Sequence, residues 1–147
     1  MTVDLSLTIG AGSKQELTLR NPVMVASGTF SNGIEFAKRF DVDALGAICS
    51  KGTTLRPRRG NNRPVLATTF GGLSGPAIKP VALRLVYLAA GVTNLPILAA
   101  GGVSSGTDAI EFFMAGASAV QVGTATFRDP ETPWRVLREI TDWCEAE

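Results

Sequence analysis

Apolar residues recur along this chain in short unbroken runs that stop at glycine, and each run is followed by a stretch with helical spacing. Pro96-Ile97-Leu98-Ala99-Ala100 is such a run, of the kind that a parallel sheet buries on both faces, and Gly101-Gly102 ends it. Ser105-Gly-Thr-Asp108 then reads as a capping box, with Ala109, Phe112 and Phe113 at helical spacing behind it and Gly116 at the left-handed stop. Ser118 to Gly123 predicts the next strand, ending in Gly123-Thr124.

The same rhythm runs through the rest of the chain. Val3 to Arg20 alternates loosely around Gly10-Ala-Gly12-Ser and predicts a β-hairpin placed to close the floor of a barrel. Asn21 to Ser27 is the first core strand, with Pro22 at its start where the missing N–H does no harm. Asn32 to Glu35 cap a short helix through Phe40, with Ile34, Ala37 and Phe40 facing inward. Ala44 to Ser50 is the second core strand, followed by Lys51-Gly52. Val65 to Thr69 suits an edge strand. A helix from Pro80 turns Val81, Leu85 and Leu88 inward and stops at Gly91. Asp129 caps a final helix with Pro130 at its first position. Its stripe is Trp134, Leu137, Ile140 and Cys144, with Val136 and Trp143 flanking, and both tryptophans read as core.

Four βα units therefore have polar or glycine groups at their C-terminal strand ends: Ser27-Gly28, Lys51-Gly52, Gly101-Gly102 and Gly123-Thr124. In α/β sheets and barrels this is the end at which ligands bind. Glycine turns leave backbone N–H groups bare, and bare N–H groups at a turn or helix start hold phosphate without side chains. A Gly-Gly pair is also a common tight turn, but two such turns at the same end of adjacent strands favour the phosphate site. Lys51 reads either as a surface lysine or as an ammonium at the mouth. The arginine-rich stretch Leu55 to Pro64 is either a solvated loop or a patch for an anionic substrate. A closed barrel needs eight strands and typically about 250 residues; this chain has units for half of one.

Composition narrows the classes. The 147 residues, 45% apolar and 18% charged, make one globular domain with a core. A net charge of +1 asks for neither nucleic acid nor an anionic membrane. No span-length apolar run and no signal-type N-terminus are present, so a cytoplasmic protein is expected. The chain has no histidine, which rules out histidine bases and ligands, and its two cysteines, Cys49 and Cys144, lack metal-ligand spacing.

Four segments carry a resemblance: NPVMVASGTFSNG from Asn21, ICSKGTTLRPRRGN from Ile48, GGLSGPAIKPVALRLVY from Gly71, and PILAAGGVSSGTDAIEFFMAGASAVQVGTATF from Pro96. In that order they resemble class 1 dihydroorotate dehydrogenases, most of all the catalytic subunit of the NAD-linked type. The resemblance implies a TIM barrel carrying FMN, oxidation of dihydroorotate to orotate in pyrimidine biosynthesis, and an electron-transfer subunit as partner. It places Ser27, Lys51, Gly52 and Gly75 at flavin contacts, Lys51 also near the substrate, and Gly101, Gly102, Gly123 and Thr124 at the flavin phosphate. One truncated domain over residues 1–147 is expected, with 1–60 matching the family's N-terminal part and 61–147 its C-terminal part.

The departure lies between the second and third segments. The family has a long central section there, holding strands three to six, the substrate-binding asparagines and the catalytic cysteine; here only residues 62–70 intervene. Neither Cys49 nor Cys144 inherits the role of base, so no catalytic residue is assigned and an impaired or inactive isolated chain is expected. The alternative is a non-catalytic half-barrel that closes its two open parallel edges by self-assembly into a homo-oligomer and at most holds a flavin or phosphate.

Overall fold

The computed structural model describes residues 3–30, 34–50 and 72–146. The expectations for Asn32, Lys51, Gly52, residues 55–64 and the strand at 65–69 fall outside them.

Strands β1 (Leu7–Ile9) and β2 (Leu17–Leu19) form the expected hairpin, antiparallel with Leu7 opposite Leu19. Its turn holds Gly10 and Gly12 at positive φ. Four further strands make one all-parallel sheet: β3 (Val23–Val25), β4 (Ala47–Ile48), β5 (Leu98–Ala100) and β6 (Ala119–Val122), in the order β4-β3-β6-β5. The last strand thus lies between the first and the next-to-last, as when the two ends of a barrel's strand series meet. Met24 pairs with both Ala47 and Gln121, and Ala99 with Val120.

The two sheet faces have different partners. Val23, Val25, Ala99, Val120 and Val122 face the helices, in a core with Phe30, Ala109, Phe112, Val136 and Ile140. Met24 and Ala119 face the other way, against Leu19, with Leu7 and Ile9 packed alongside. The hairpin therefore covers the inner face, as a floor would. Helices α1 (Lys79–Ala90), α2 (Gly106–Met114), α3 (Ala125–Arg128) and α4 (Thr132–Ala146), with 3-10 turns at Phe36–Lys38, Val42–Ala44 and Pro76–Ile78, complete the described elements.

Local chemistry sets the ends of α2. Ser105 Oγ accepts from Asp108 N at 3.1 Å. At the other end Gly116 takes φ +106°, with Gly116 N donating to Phe113 O and Ala117 N to Phe112 O, both at 2.9 Å. This is a Schellman stop.

Three packing expectations are corrected. Val81, Leu85 and Leu88 are exposed; α1 instead buries Val86 and rests Ala82 and Leu83 on the core, because its neighbour β5 is an outer strand with no described element beyond it. Ile34 and Ala37 are exposed, and the turn Phe36–Lys38 is anchored by Phe36 stacking on buried Phe30 at 3.9 Å. The last helix starts at Thr132, not Pro130: Asp129 Oδ1 takes Glu131 N, and the Asp129 carbonyl takes Thr132 N and Oγ1, which makes a turn of its own. Trp134 stacks on Phe40 at 4.8 Å and belongs to the core margin, but Trp143 is half exposed.

Candidate functional site

A cavity of about 300 Å³ opens at the C-terminal ends of β3, β5 and β6. Every described residue expected at the site lines it: Ser27, Gly75, Gly101, Gly102, Gly123 and Thr124. They come from four separate stretches of chain and meet because the three strands are parallel and adjacent. Parallel order puts every strand's exit at one end of the sheet.

Each exit turn is fixed by its own hydrogen bonds. Thr29 Oγ1 donates to Ala26 O, and Thr126 Oγ1 to Gly123 O, each at 2.8 Å. Gly101 and Gly102 follow β5 at φ +136° and +85°, and Gly75 takes φ +86°. A Cβ on Gly102 would lie 2.8 Å from Gly75 O and 2.9 Å from Lys79 Cβ. The glycines thus let the Gly75 turn close over the Gly102 turn and narrow the cavity wall to bare backbone. Among the described residues, the amides of Gly102, Gly123 and Thr124 make no hydrogen bond within the protein.

The polar groups around the cavity are hydroxyls and one amide: Ser27, Thr29, Ser74, Ser104, Thr124 and Gln121. No charged side chain lines it among the described residues. Gln121 and Ser104 were missed by sequence reasoning. Gln121 carried a signal, since it is the one polar residue within β6 and sits on the inner face beside Met24. Ser104 carried none, because its place depends on partners far along the chain.

Those partners form a frame behind the cavity. Lys79 Nζ lies 2.5 Å from Asp108 Oδ1 and 3.0 Å from Glu111 Oε2. Asp108 Oδ2 accepts from Ser104 N at 2.9 Å and Ser104 Oγ at 2.8 Å. Arg135 of α4 donates to Ser104 O at 3.1 Å, and Glu139 accepts from Gly106 N. The turn from Gly101 to Ser105 is therefore held from three helices. Burial pushes the Asp108 carboxyl up, but the hydrogen bonds from Lys79 and Ser104 outweigh it and hold it at about 2. The Asp108 bond in turn raises Lys79. Lys79 is thus a neutralised strut, not a cation offered to a ligand. Burial raises the Cys49 thiol, which keeps it protonated, and Gln121 Nε2 lies 3.5 Å from its Sγ.

The class of protein follows: an α/β sheet with helices outside, a hairpin on the inner floor and a glycine-walled cavity at the strand exits is part of a TIM barrel, read at its ligand end. Comparison with known proteins agrees. The dihydroorotate dehydrogenase family model matches residues 12–69 and 62–143. The chain is 41% identical over 132 residues to the catalytic subunit of dihydroorotate dehydrogenase B (NAD(+)) of Geobacter metallireducens, covering 88% of this chain and 43% of that one. It is 55% identical over 85 residues to a putative dihydroorotate dehydrogenase A (fumarate) of Solibacter usitatus, covering 58% of this chain and 28% of that one. A DHODH of Eimeria tenella, solved in complex with ferulenol, superposes with a TM-score of 0.50 at 29% identity, over 71% of this chain and 28% of that one. The chain belongs to the dihydroorotate dehydrogenase family, whose members are flavin-dependent oxidoreductases, and it spans less than half the length of these relatives. No described helix is long and apolar enough to cross a membrane.

Proposed function

We propose that the cavity is the phosphate end of an FMN site, and that the chain is a flavin-binding part of a dihydroorotate dehydrogenase barrel with little or no turnover by itself. The observation that carries this is the meeting of Ser27, Gly75, Gly101, Gly102, Gly123 and Thr124 around one cavity. The residues fit a phosphate. The amides of Gly102, Gly123 and Thr124, which bond to no other described residue, and the Ser27 and Thr124 hydroxyls are donors of the kind that nests and helix starts offer to anions. The volume is at the small end for ligand sites, suited to a phosphate and its adjoining chain. Lys51 and Gly52 complete the flavin set in this reading, with Lys51 also meeting the substrate.

Bound flavin would supply the hydride acceptor. The oxidation also needs a positioned base for the proton on the neighbouring carbon. Cys49, held as the neutral thiol on the inner sheet face, is not one. Positioned acid–base catalysis is worth about 10² to 10⁴ in rate, so activity on dihydroorotate should be reduced at least that far. The two family matches meet at residues 62–69, which supports a chain whose first part, 1–60, and second part, 61–147, come from the two ends of the barrel. In a longer assembly the same reading includes a partner that passes electrons onward, in keeping with relatives described as catalytic subunits.

The test is equilibrium dialysis of the purified chain against FMN and against riboflavin, with the visible spectrum of the bound fraction. FMN retained at least tenfold more tightly than riboflavin supports a phosphate site; equal or absent binding overturns it. Rapid orotate formation by the isolated chain would overturn the statement on turnover.

A further inference from the structure

The sheet has two outer strands, β4 and β5, and every strand in it is parallel. On β5, Ile97 O accepts from Ser118 N and Ala119 N on the β6 side. Alternation along the ladder then turns the N–H and C=O of Leu98 and Ala100 away from β6, toward the open side. On β4, Cys49 N donates to Val25 O, so the backbone groups of Ile48 turn outward in the same way. No described residue pairs with either edge. Exposed parallel edges of this kind are rare in water.

Side chains repeat the pattern. Beside β5, a groove of about 480 Å³ runs between that strand and α1, and every side chain lining it is apolar, with Ile78, Val81, Leu85, Ile97 and Leu98 among its residues. Val81 is 62% exposed and Leu85 61%. Leu98, on the inner sheet face beside Ala119, is 38% exposed, and Ile48 on the opposite edge 37%.

We infer that two copies of this chain pair through both edges at once, β5 of each against β4 of the other, and close a ring of eight parallel strands. A two-fold axis along the ring keeps all strands parallel, so the order β4-β3-β6-β5 continues into the partner's β4 and returns. The four described strands of each copy give eight, the number at which inward side chains just fill a βα barrel. Each α1 groove then receives the partner's β4 side, covering Val81 and Leu85. Leu98 enters the shared interior. Both cavities open at the same end of the ring, because all strand exits lie there. This pairing stands whether or not the cavity takes a flavin.

The experiment is light scattering on the full chain, alongside L98K and the double variant V81K/L85K, with hydrogen exchange at the edge amides. These side chains are partly or largely exposed in one copy, so the single chain should keep its fold. The expected result is a species of twice 15.4 kDa for the native chain, with slow exchange at Ile48, Leu98 and Ala100, and monomers with fast exchange there for both variants. A native monomer overturns the inference, and one with protected edge amides shows that the edges are covered from within the chain. A dimer that survives both variants places the contact on another face, and open-ended polymers exclude the closed ring. FMN binding by a monomer would overturn the pairing and leave the flavin reading intact.

Discussion

Lys79 Nζ sits 2.5 Å from Asp108 Oδ1, which joins the first turn of α1 to the first turn of α2 behind the Gly101–Ser104 turn. The other oxygen of Asp108 holds Ser104 by its backbone and side chain. One carboxylate therefore positions a wall of the cavity.

This makes a prediction in pH. The Asp108 carboxyl is held at about 2, below its ordinary 3.8. The folded state binds that proton more weakly than the unfolded chain does. Its stabilisation is full above pH 4 and is lost as pH falls from about 4 to about 2; at pH 7 it amounts to about 2 kcal/mol. Urea midpoints of the native chain should fall over that window, and those of Asp108→Asn should start lower and fall less. Equal slopes for the two proteins below pH 4 would contradict the frame.

Gly102→Ala should cost more than about 2 kcal/mol, because φ +85° is strained for alanine and the new Cβ meets Gly75 O at 2.8 Å. Gly12→Ala, at φ +77° with nothing within 4 Å, should cost only about 1 kcal/mol of backbone strain. Thermal melts of the pair separate close approach from φ alone.

Thr124→Asp puts a carboxylate at the mouth of the cavity. Thr124 is exposed, so stability should change by no more than about 0.5 kcal/mol. FMN affinity measured by dialysis should fall at least tenfold. Unchanged affinity would move the anion site away from the β6 exit.

Trp134 Nε1 donates to Asp41 O at 2.7 Å while its ring stacks on Phe40. Trp134→Phe keeps much of the stacking and removes the bond, at a cost of about 1 kcal/mol in urea titration. Trp143 is half exposed, so Trp143→Phe should leave the midpoint nearly unchanged and remove the more solvent-exposed part of the fluorescence.

The sequence by itself determined what depends on neighbours along the chain. The β3, β5 and β6 runs, the Ser105 cap, the Gly116 stop and the hairpin around Gly10 and Gly12 all follow from periodicity, capping chemistry and the φ that only glycine takes without strain. Five of the six residues that line the cavity were legible for the same reason, because glycine and hydroxyl groups at the ends of apolar runs mark strand exits, while Gly75 was placed by the family resemblance. Tertiary structure decided what depends on which strands are neighbours. Helical spacing in α1 pointed Val81, Leu85 and Leu88 inward, but β5 has no described strand beyond it, so nothing covers that face and Val86 is buried instead. Ser104 gained its place from Asp108, Arg135 and their helices, at separations that no local pattern records. Periodicity shows that a face is apolar; only the sheet order shows whether a partner is there to bury it.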